Sequence, residues 1–322
     1  MNIIWNLPLT TVMPFEAVTE DRPVALLTSG PAWSAVRGRL PGLRPVWQAE
    51  VTAATLAHWD ALAAELRGAP AAEGAVLYAV GGGLVADAAK YVAVQLDRPL
   101  VCLPTALSVD AYLTWASGYR RDGCVVYLAT RPPDRLVLDF AVLAAAPPAI
   151  RAAGLCDVLS IATGCWDWLY AEERGHNPPE TAYIPYAYDA AQAILRGGLE
   201  CAAAAGSGDP DGLKHLFDCL ALEVQLCNQL GHSRPEEGSE HYFAYAVENT
   251  MGHGLPHGDL VGPGIVIMAE AQGQDSEPLR RALVAAHVPL DAIPPEVVEM
   301  TLRDLPAYVR RHNLPYGRAH AL

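Results

Sequence analysis

Between residues 24 and 138, short apolar runs alternate with stretches whose apolar residues recur at helical spacing, the pattern of βα units around a parallel sheet. Val24–Leu27 reads as a buried strand ending at Thr28-Ser29-Gly30-Pro31, with a helix over Ala32–Arg39 behind it. Arg44-Pro45-Val46-Trp47 is a weaker second strand. Leu56, Trp59, Leu62 and Leu66 mark a helix, Ala75–Val80 a third strand, Leu84–Val94 an amphipathic segment, Leu100–Leu103 a fourth strand and Arg135–Leu138 another. After Ala146-Pro147-Pro148 the pattern changes to long alanine- and leucine-rich stretches with few β-branched runs. These predict helices, one of them over Ile150–Tyr170, with loops at 175–179, 206–210 and 231–238. The fold class expected is an α/β N-terminal domain with a Rossmann-like parallel sheet, residues 1–148, followed by an all-α domain, residues 149–322.

Composition narrows the class of protein. Hydrophobic residues make up 52% of the 322 and charged residues 18%, a soluble globular balance, and no run of eighteen apolar residues offers a membrane span. Met1–Asn6 lacks the basic start and apolar stretch of a secretory signal, so a cytoplasmic location is expected. Seven cysteines, odd in number and without Cys-x-x-Cys spacing, read as buried thiols and not as a disulfide framework or zinc module. A net charge of −14 argues against nucleic acid as a partner, and no membrane partner is expected. Lysine occurs only at Lys90 and Lys214, so lysine-dependent chemistry has two candidates.

Candidate chemistry in the first half sits where strands end. Gly81-Gly82-Gly83 follows a strand and precedes a helix, where backbone amides can approach a pyrophosphate and the helix N-terminus favours its charge. The spacing is not Gly-x-Gly-x-x-Gly, and a plain tight turn accounts for the same residues. Asp87 can support that turn through helix N-terminal amides, and Lys90 reads equally well as a solvated helix charge. Pro104-Thr105-Ala106-Leu107-Ser108-Val109-Asp110 closes the next strand, at the carboxyl edge where α/β sheets bind ligands. Thr105 and Ser108 can donate to a nicotinamide or phosphate, and Asp110 can orient a substrate hydroxyl; ordinary turn chemistry is the alternative.

The second half carries Asp157 among apolar neighbours, Gly238-Ser239-Glu240-His241, and His257-Gly258-Asp259. A carboxylate in such surroundings needs compensation. Two imidazoles and one carboxylate make a three-ligand metal site with an open position. Capping or pairing, and satisfied structural histidines, are the bland alternatives. His253 and His257 share the i, i+4 spacing of a helical zinc pair, but Gly254 and Pro256 lie between them, so His253 is read as a neighbour able to carry a proton or support a ligand.

Taken in order, Gly81-Gly82-Gly83…Asp87…Lys90, Pro104-Thr105…Ser108…Asp110, Ala153-Gly154…Asp157 with Asp167-Trp168, Gly238-Ser239-Glu240-His241 and His257-Gly258-Asp259-Leu260-Val261-Gly262 resemble the glycerol-1-phosphate dehydrogenase group of the superfamily that holds iron-containing alcohol dehydrogenases and dehydroquinate synthases. The resemblance spans about Val24 to Ala269. It implies a dehydroquinate synthase-like fold, with a nucleotide-binding domain, a helical metal-binding domain and an active site in the cleft between them. It implies that Asp157, His241 and His257 hold a divalent metal, zinc before iron or nickel, and that Gly81, Gly82, Gly83, Asp87, Thr105, Ser108 and Thr114 serve NAD or NADP. Asp110 matches a substrate-contacting position. Asp157 and Tyr245 are also expected at the substrate, Tyr245 standing where relatives often carry a substrate-binding histidine. Leu84 and Ala111 replace the usual lysine and glycine, and Tyr112 and Trp115 suggest a bulkier substrate.

The activity implied is metal-dependent hydride transfer between NAD(P) and a small polyol or ketone, phosphorylated or not, with Asp110 or His253 passing the proton, in an enzyme expected to form a homo-oligomer, a dimer by resemblance. A divergent sugar-phosphate cyclase using NAD transiently is the alternative, disfavoured because Ala116-Ser117-Gly118-Tyr119 lacks the lysine of that type. A non-catalytic binding or scaffold relative is a third reading.

Overall fold

A computed structural model describes residues 4–322; Met1–Ile3, where the sequence reading of the N-terminus begins, lie outside the described residues. The chain forms two compact units, one of Trp5–Arg121 with Val125–Ala146, the other of Asp122–Cys124 with Pro147–Leu322.

The first unit is built on a six-stranded sheet. Its elements are β1 (Leu9–Val12), β2 (Val24–Thr28), α1 (Gly30–Val36), β3 (Pro45–Glu50), α2 (Leu56–Arg67), β4 (Val76–Gly81), α3 (Gly83–Leu96) and β5 (Leu100–Pro104). The hairpin strands β6 (Ala116–Arg121) and β7 (Cys124–Ala129), then β8 (Arg135–Leu138) and α4 (Phe140–Ala144), follow. The order across the sheet is β1-β8-β5-β4-β2-β3, with every neighbouring pair parallel. β2, β4 and β5 are buried at every position. Both faces are therefore covered, and such strands appear in sequence as unbroken apolar runs. Val24, Leu26, Val76, Tyr78, Val80, Leu103 and Val137 form the core of one face with Phe15, Val36 and Leu40.

Three strands have no counterpart among the expected elements. β1, Leu-Thr-Thr-Val, is a largely exposed edge strand, and its place is set by pairing with β8 (Leu9 opposite Arg135) more than by its own pattern. The β6–β7 hairpin turns at Asp122-Gly123, with φ of 55° and 74°. That dipeptide is the favoured occupant of a two-residue hairpin turn, a signal that the apolar pattern alone passes over.

The second unit is helical: α5 (Pro148–Arg151), α6 (Leu155–Glu173), α7 (Pro185–Ser207), α8 (Pro210–Leu230), α9 (Ser239–Met251), α10 (His257–Ala271), α11 (Glu277–Ala285) and α12 (Pro295–Arg311). The single helix expected over Ile150–Tyr170 is broken at Ala152–Gly154, so Asp157 lies in the first turn of α6 instead of mid-helix. α7 and α8 are joined across Gly208 and Asp209, with the Asp209 side chain capping α8 through the Gly212 amide at 2.8 Å. No described helix is long and apolar enough to cross a membrane.

Lys90 corrects the reading of a solvated helix charge. Its side chain is fully buried. The ammonium pairs with Asp87 at 3.1 Å, donates to Thr114 Oγ1 at 3.0 Å and makes a short contact to the Ala116 carbonyl. A primary ammonium has three N–H donors, and these acceptors take them, with the Thr114 carbonyl further off at 3.4 Å. Burial pushes the Asp87 carboxyl upward, and Lys90 offsets part of that. α3 is thereby fastened to the segment entering β6. Removing one partner of such a pair is costly because the other is left uncompensated, so Lys90→Met should lower unfolding free energy by about 3 kcal/mol. In urea titrations Lys90→Met/Asp87→Asn should recover part of the loss; wild-type stability in the single variant would contradict the assignment.

Candidate metal centre and nucleotide-facing turns

Three helix starts bring the metal candidates together. Asp157 lies in the first turn of α6, His241 in that of α9, and His257 opens α10 behind Pro256. Asp157 Oδ1 lies 2.7 Å from His257 Nε2 and 3.9 Å from His241 Nε2. The three ligand atoms all fall within 4.8 Å of one another. Asp157 and His241 are buried, while the His257 side chain keeps 30% of its exposure, so the cluster opens on that side.

Glu240 decides how His241 is presented. Fully buried, it receives the Gly238 amide at 2.6 Å and meets His241 Nδ1 at 2.9 Å on the same oxygen, Oε1. An Nδ1 held as a donor leaves Nε2 as the ligating nitrogen, turned toward Asp157. Burial opposes charge on this imidazole. The hydrogen bond and charge of Glu240, with the charges of Glu237 and Asp157, outweigh it and lift the pKa to about 9. Two imidazole nitrogens and one carboxylate oxygen suit zinc or a similar borderline divalent cation.

The starts of the helices are tied down by Asp167, further along α6. Its carboxylate accepts the Ser239 amide at 2.7 Å, the Ser239 hydroxyl, the Arg318 amide at 2.7 Å and Gln272 Nε2 at 3.1 Å. Ser239 Oγ in turn accepts the Ala319 amide at 2.8 Å. A side chain at position 238 is barred, since a Cβ there would stand 2.9 Å from Gly164 Cα and from Asp167 Oδ2. Burial, reinforced by the charge of Glu240, pushes the Asp167 carboxyl up to about 6. The sequence motif contained Asp167 and Glu240 without assigning either a task; their donors and acceptors come from distant segments, and no local pattern announces them.

Tyr245 follows His241 by one helical turn. It is buried, with its ring centroid 6.2 Å from that of His241 and its hydroxyl donating to Glu237 Oε1 at 2.8 Å. Glu237 went unnoticed in the sequence, where it is the second of two adjacent glutamates in a loop. His253 is not brought into the cluster: it lies beyond the end of α9, exposed, with Nδ1 3.3 Å from the Gly254 carbonyl.

In the α/β unit, β3 lies outside β2 and β4 on its other side, so the chain reverses direction across the sheet between β2 and β4. Crevices at such switch points are where open α/β sheets bind ligands, and the Gly81–Gly83 turn leaves β4 there. Its glycines also answer to the protein's own packing. A Cβ on Gly83 would stand 2.5 Å from Val109 Cγ2, and one on Gly81 2.8 Å from Val85 Cγ2. Gly82, the residue before α3, would meet only Ser108 Oγ, at 3.3 Å. The Thr105 amide donates to the Gly81 carbonyl at 3.2 Å, so Thr105, Ser108 and the glycines share one edge. Asp110 is half-buried in the turn after them. Thr114 Oγ1 accepts from Lys90, and Asp87 pairs with Lys90 instead of serving the helix N-terminal amides as expected. Tyr112 is 1% exposed and belongs to the core of this unit, which removes it as a lining residue for a bulky substrate.

Residues 22–147 match the family model for iron-containing alcohol dehydrogenases. The chain is 32% identical over 227 residues to the glycerol-1-phosphate dehydrogenase (NAD(P)+) of Methanothrix thermoacetophila, covering 69% of this chain and 63% of that one. It is 31% identical to that of Sulfurisphaera tokodaii, covering 68% and 63%. The matched part thus spans less than two thirds of the length of these relatives. Among solved structures, glycerol dehydrogenase from Schizosaccharomyces pombe is similar with a TM-score of 0.68, 19% identity and coverage of 99% and 86%. Maleylacetate reductase from Agrobacterium tumefaciens gives 0.63, 18%, 98% and 92%. These likenesses bear out the expected fold class.

Asp167 generates a pH signature. With a folded pKa of about 6 against an ordinary 3.8, the native state binds more protons than the unfolded state between those values. Its contribution is fully present below about pH 4 and is lost as pH rises through 6, with a slope of up to about 1.4 kcal/mol per pH unit. The stability difference between wild type and Asp167→Asn, followed by urea denaturation from pH 4 to 7, should fall over that window; a flat difference would remove the assignment.

Proposed function

We propose that this chain is a member of the iron-containing alcohol dehydrogenase family, as the match of residues 22–147 and the likeness to glycerol-1-phosphate dehydrogenases support, and that it is a metal-dependent NAD(P) oxidoreductase interconverting a small polyol and its ketone, phosphorylated or not. The observation that carries the reading is the convergence of Asp157 Oδ1, His241 Nε2 and His257 Nε2, with the other nitrogen of His241 already engaged by Glu240. That donor set fits a divalent cation with one face open, zinc being favoured by two imidazoles and a carboxylate. When bound, the cation supplies Lewis-acid polarisation of the reacting oxygen. The remaining work belongs to the chain. Asp167 and Ser239 hold the start of α9, Glu240 sets the ring of His241, and the half-exposed His257 leaves the approach open.

The start of α3, beside Gly82, whose only close neighbour would be the Ser108 hydroxyl, suits a pyrophosphate, with Thr105 and Ser108 on the same edge. In the oxidative direction the carbinol carbon gives a hydride to the nicotinamide, the hydroxyl proton goes to solvent, and ketone, reduced cofactor and one proton result. Asp110 is the proposed proton carrier, and His253, exposed and apart from the cluster, is not required. The same reading includes a cytoplasmic homodimer with neither nucleic acid nor membrane as partner. The curated relatives are dehydrogenases by name, and no structural observation favours the cyclase or scaffold alternative.

Purified protein should carry or take up one divalent ion per chain, measured by elemental analysis. Chelation should abolish NAD(P)H turnover with dihydroxyacetone or its phosphate, and added Zn2+ should restore it. Asp157→Ala should lose more than about 100-fold in metal affinity, beyond the 10–100-fold usual for outer-sphere partners. Unchanged affinity and turnover in that variant would sink the reading.

A further inference from the structure

The charges around the cluster discriminate between the two substrate classes left open above. Those bearing most on His241 come from Glu240, Glu237 and Asp157, all carboxyl side chains. A phosphate ester brings up to two further negative charges, and such ligands are usually met by lysine, arginine or free helix N-terminal amides. At the start of α9 two of the amides are already spent: Gly238 N–H goes to Glu240 and Ser239 N–H to Asp167. Neither lysine is available, since Lys90 is buried on Asp87 and Thr114, and Lys214 pairs with Asp218 at 2.6 Å on α8; Arg234, three residues before Glu237, is buried, with Nη2 donating to the Asp167 and Tyr316 carbonyls at 3.1 and 2.8 Å.

What the rim does offer is acceptors. Glu237 Oε1 takes the Tyr245 hydroxyl at 2.8 Å, and Oε2 takes the Ser233 hydroxyl at 2.7 Å. A carboxylate has about four lone-pair sites, so two donors orient Glu237 without saturating it. The side chain keeps partial exposure, and its capacity to accept from a hydroxyl remains. Resting on the metal-centre reading above, we infer that the substrate meeting Asp157, His241 and His257 is an uncharged polyol or hydroxyketone, with a free hydroxyl donating to Glu237, and not a phosphate ester. Tyr245 and Glu237 are then the specificity-determining pair: the phenol fixes the carboxylate, and the carboxylate selects a hydroxyl donor and repels a phosphate.

The test reads ligand approach without relying on turnover. Full-length protein loaded with Co2+ and oxidised cofactor is titrated, at constant ionic strength, with glycerol or dihydroxyacetone and in parallel with glycerol 1-phosphate or dihydroxyacetone phosphate, following the visible cobalt bands. The uncharged ligands should half-saturate at a concentration at least about tenfold lower than their esters. Glu237→Gln should shrink that ratio at least about threefold, because a unit of repulsion and the strongest acceptor are removed together. The inference is overturned if the esters act at equal or lower concentration, if no ligand perturbs the bands, or if the ratio is unchanged in Glu237→Gln. Absence of any cobalt spectrum in the loaded protein would instead overturn the metal centre itself, and the inference with it.

Discussion

The helical unit depends on one buried carboxylate. Asp167 sits in the middle of α6, where an ion in apolar surroundings is tolerated only if its oxygens are met by donors. Those donors arrive from Ser239, Gln272 and Arg318, far apart in sequence. Satisfying all of them at once fixes the start of α9, the end of α10 and the C-terminal segment against α6. Asp157 is carried by that same helix and His241 follows Ser239 by two residues. The 3.9 Å approach of His241 to Asp157 is inherited from this anchorage.

A second constraint acts at the level of single helix turns. All three candidate ligands stand in first turns, where the chain has just changed direction and a short side chain can point away from its own helix toward a neighbour. Glu240 completes the arrangement by occupying the nitrogen of His241 that faces away from Asp157. The cluster is thus shaped before any ion enters, which reduces what ion binding must spend on ordering side chains. In the α/β unit Gly83 is fixed by packing, its missing side chain making room for Val109.

Much of the architecture was legible in the sequence because buried parallel strands must be unbroken apolar runs. β2, β4, β5 and β8 appear where the pattern predicts them, within a residue or two. The misses share a cause. β1 is four residues at an exposed edge, β6 and β7 are announced by an Asp-Gly turn instead of by apolar runs, and the break at Ala152–Gly154 interrupts a stretch whose composition is uniformly helical. Where local preference is weak or indifferent, pairing and packing with distant residues decide.

By itself, the sequence determined the order of the buried strands and the change to a helical second half, the position of the glycine turn after β4 and, through the ordered motifs, the grouping of Asp157, His241 and His257 as one candidate set. Apolar periodicity and motif spacing are local properties, and these are what a linear chain can display. Only the tertiary structure decided that Lys90 is buried on Asp87 and Thr114, that Tyr112 is core, that Asp167 gathers four donors, and that Tyr245 is turned to Glu237. Each of these concerns the partner of a polar or amphipathic group. Partners are chosen by desolvation, which takes effect once the chain has brought remote residues within hydrogen-bonding distance.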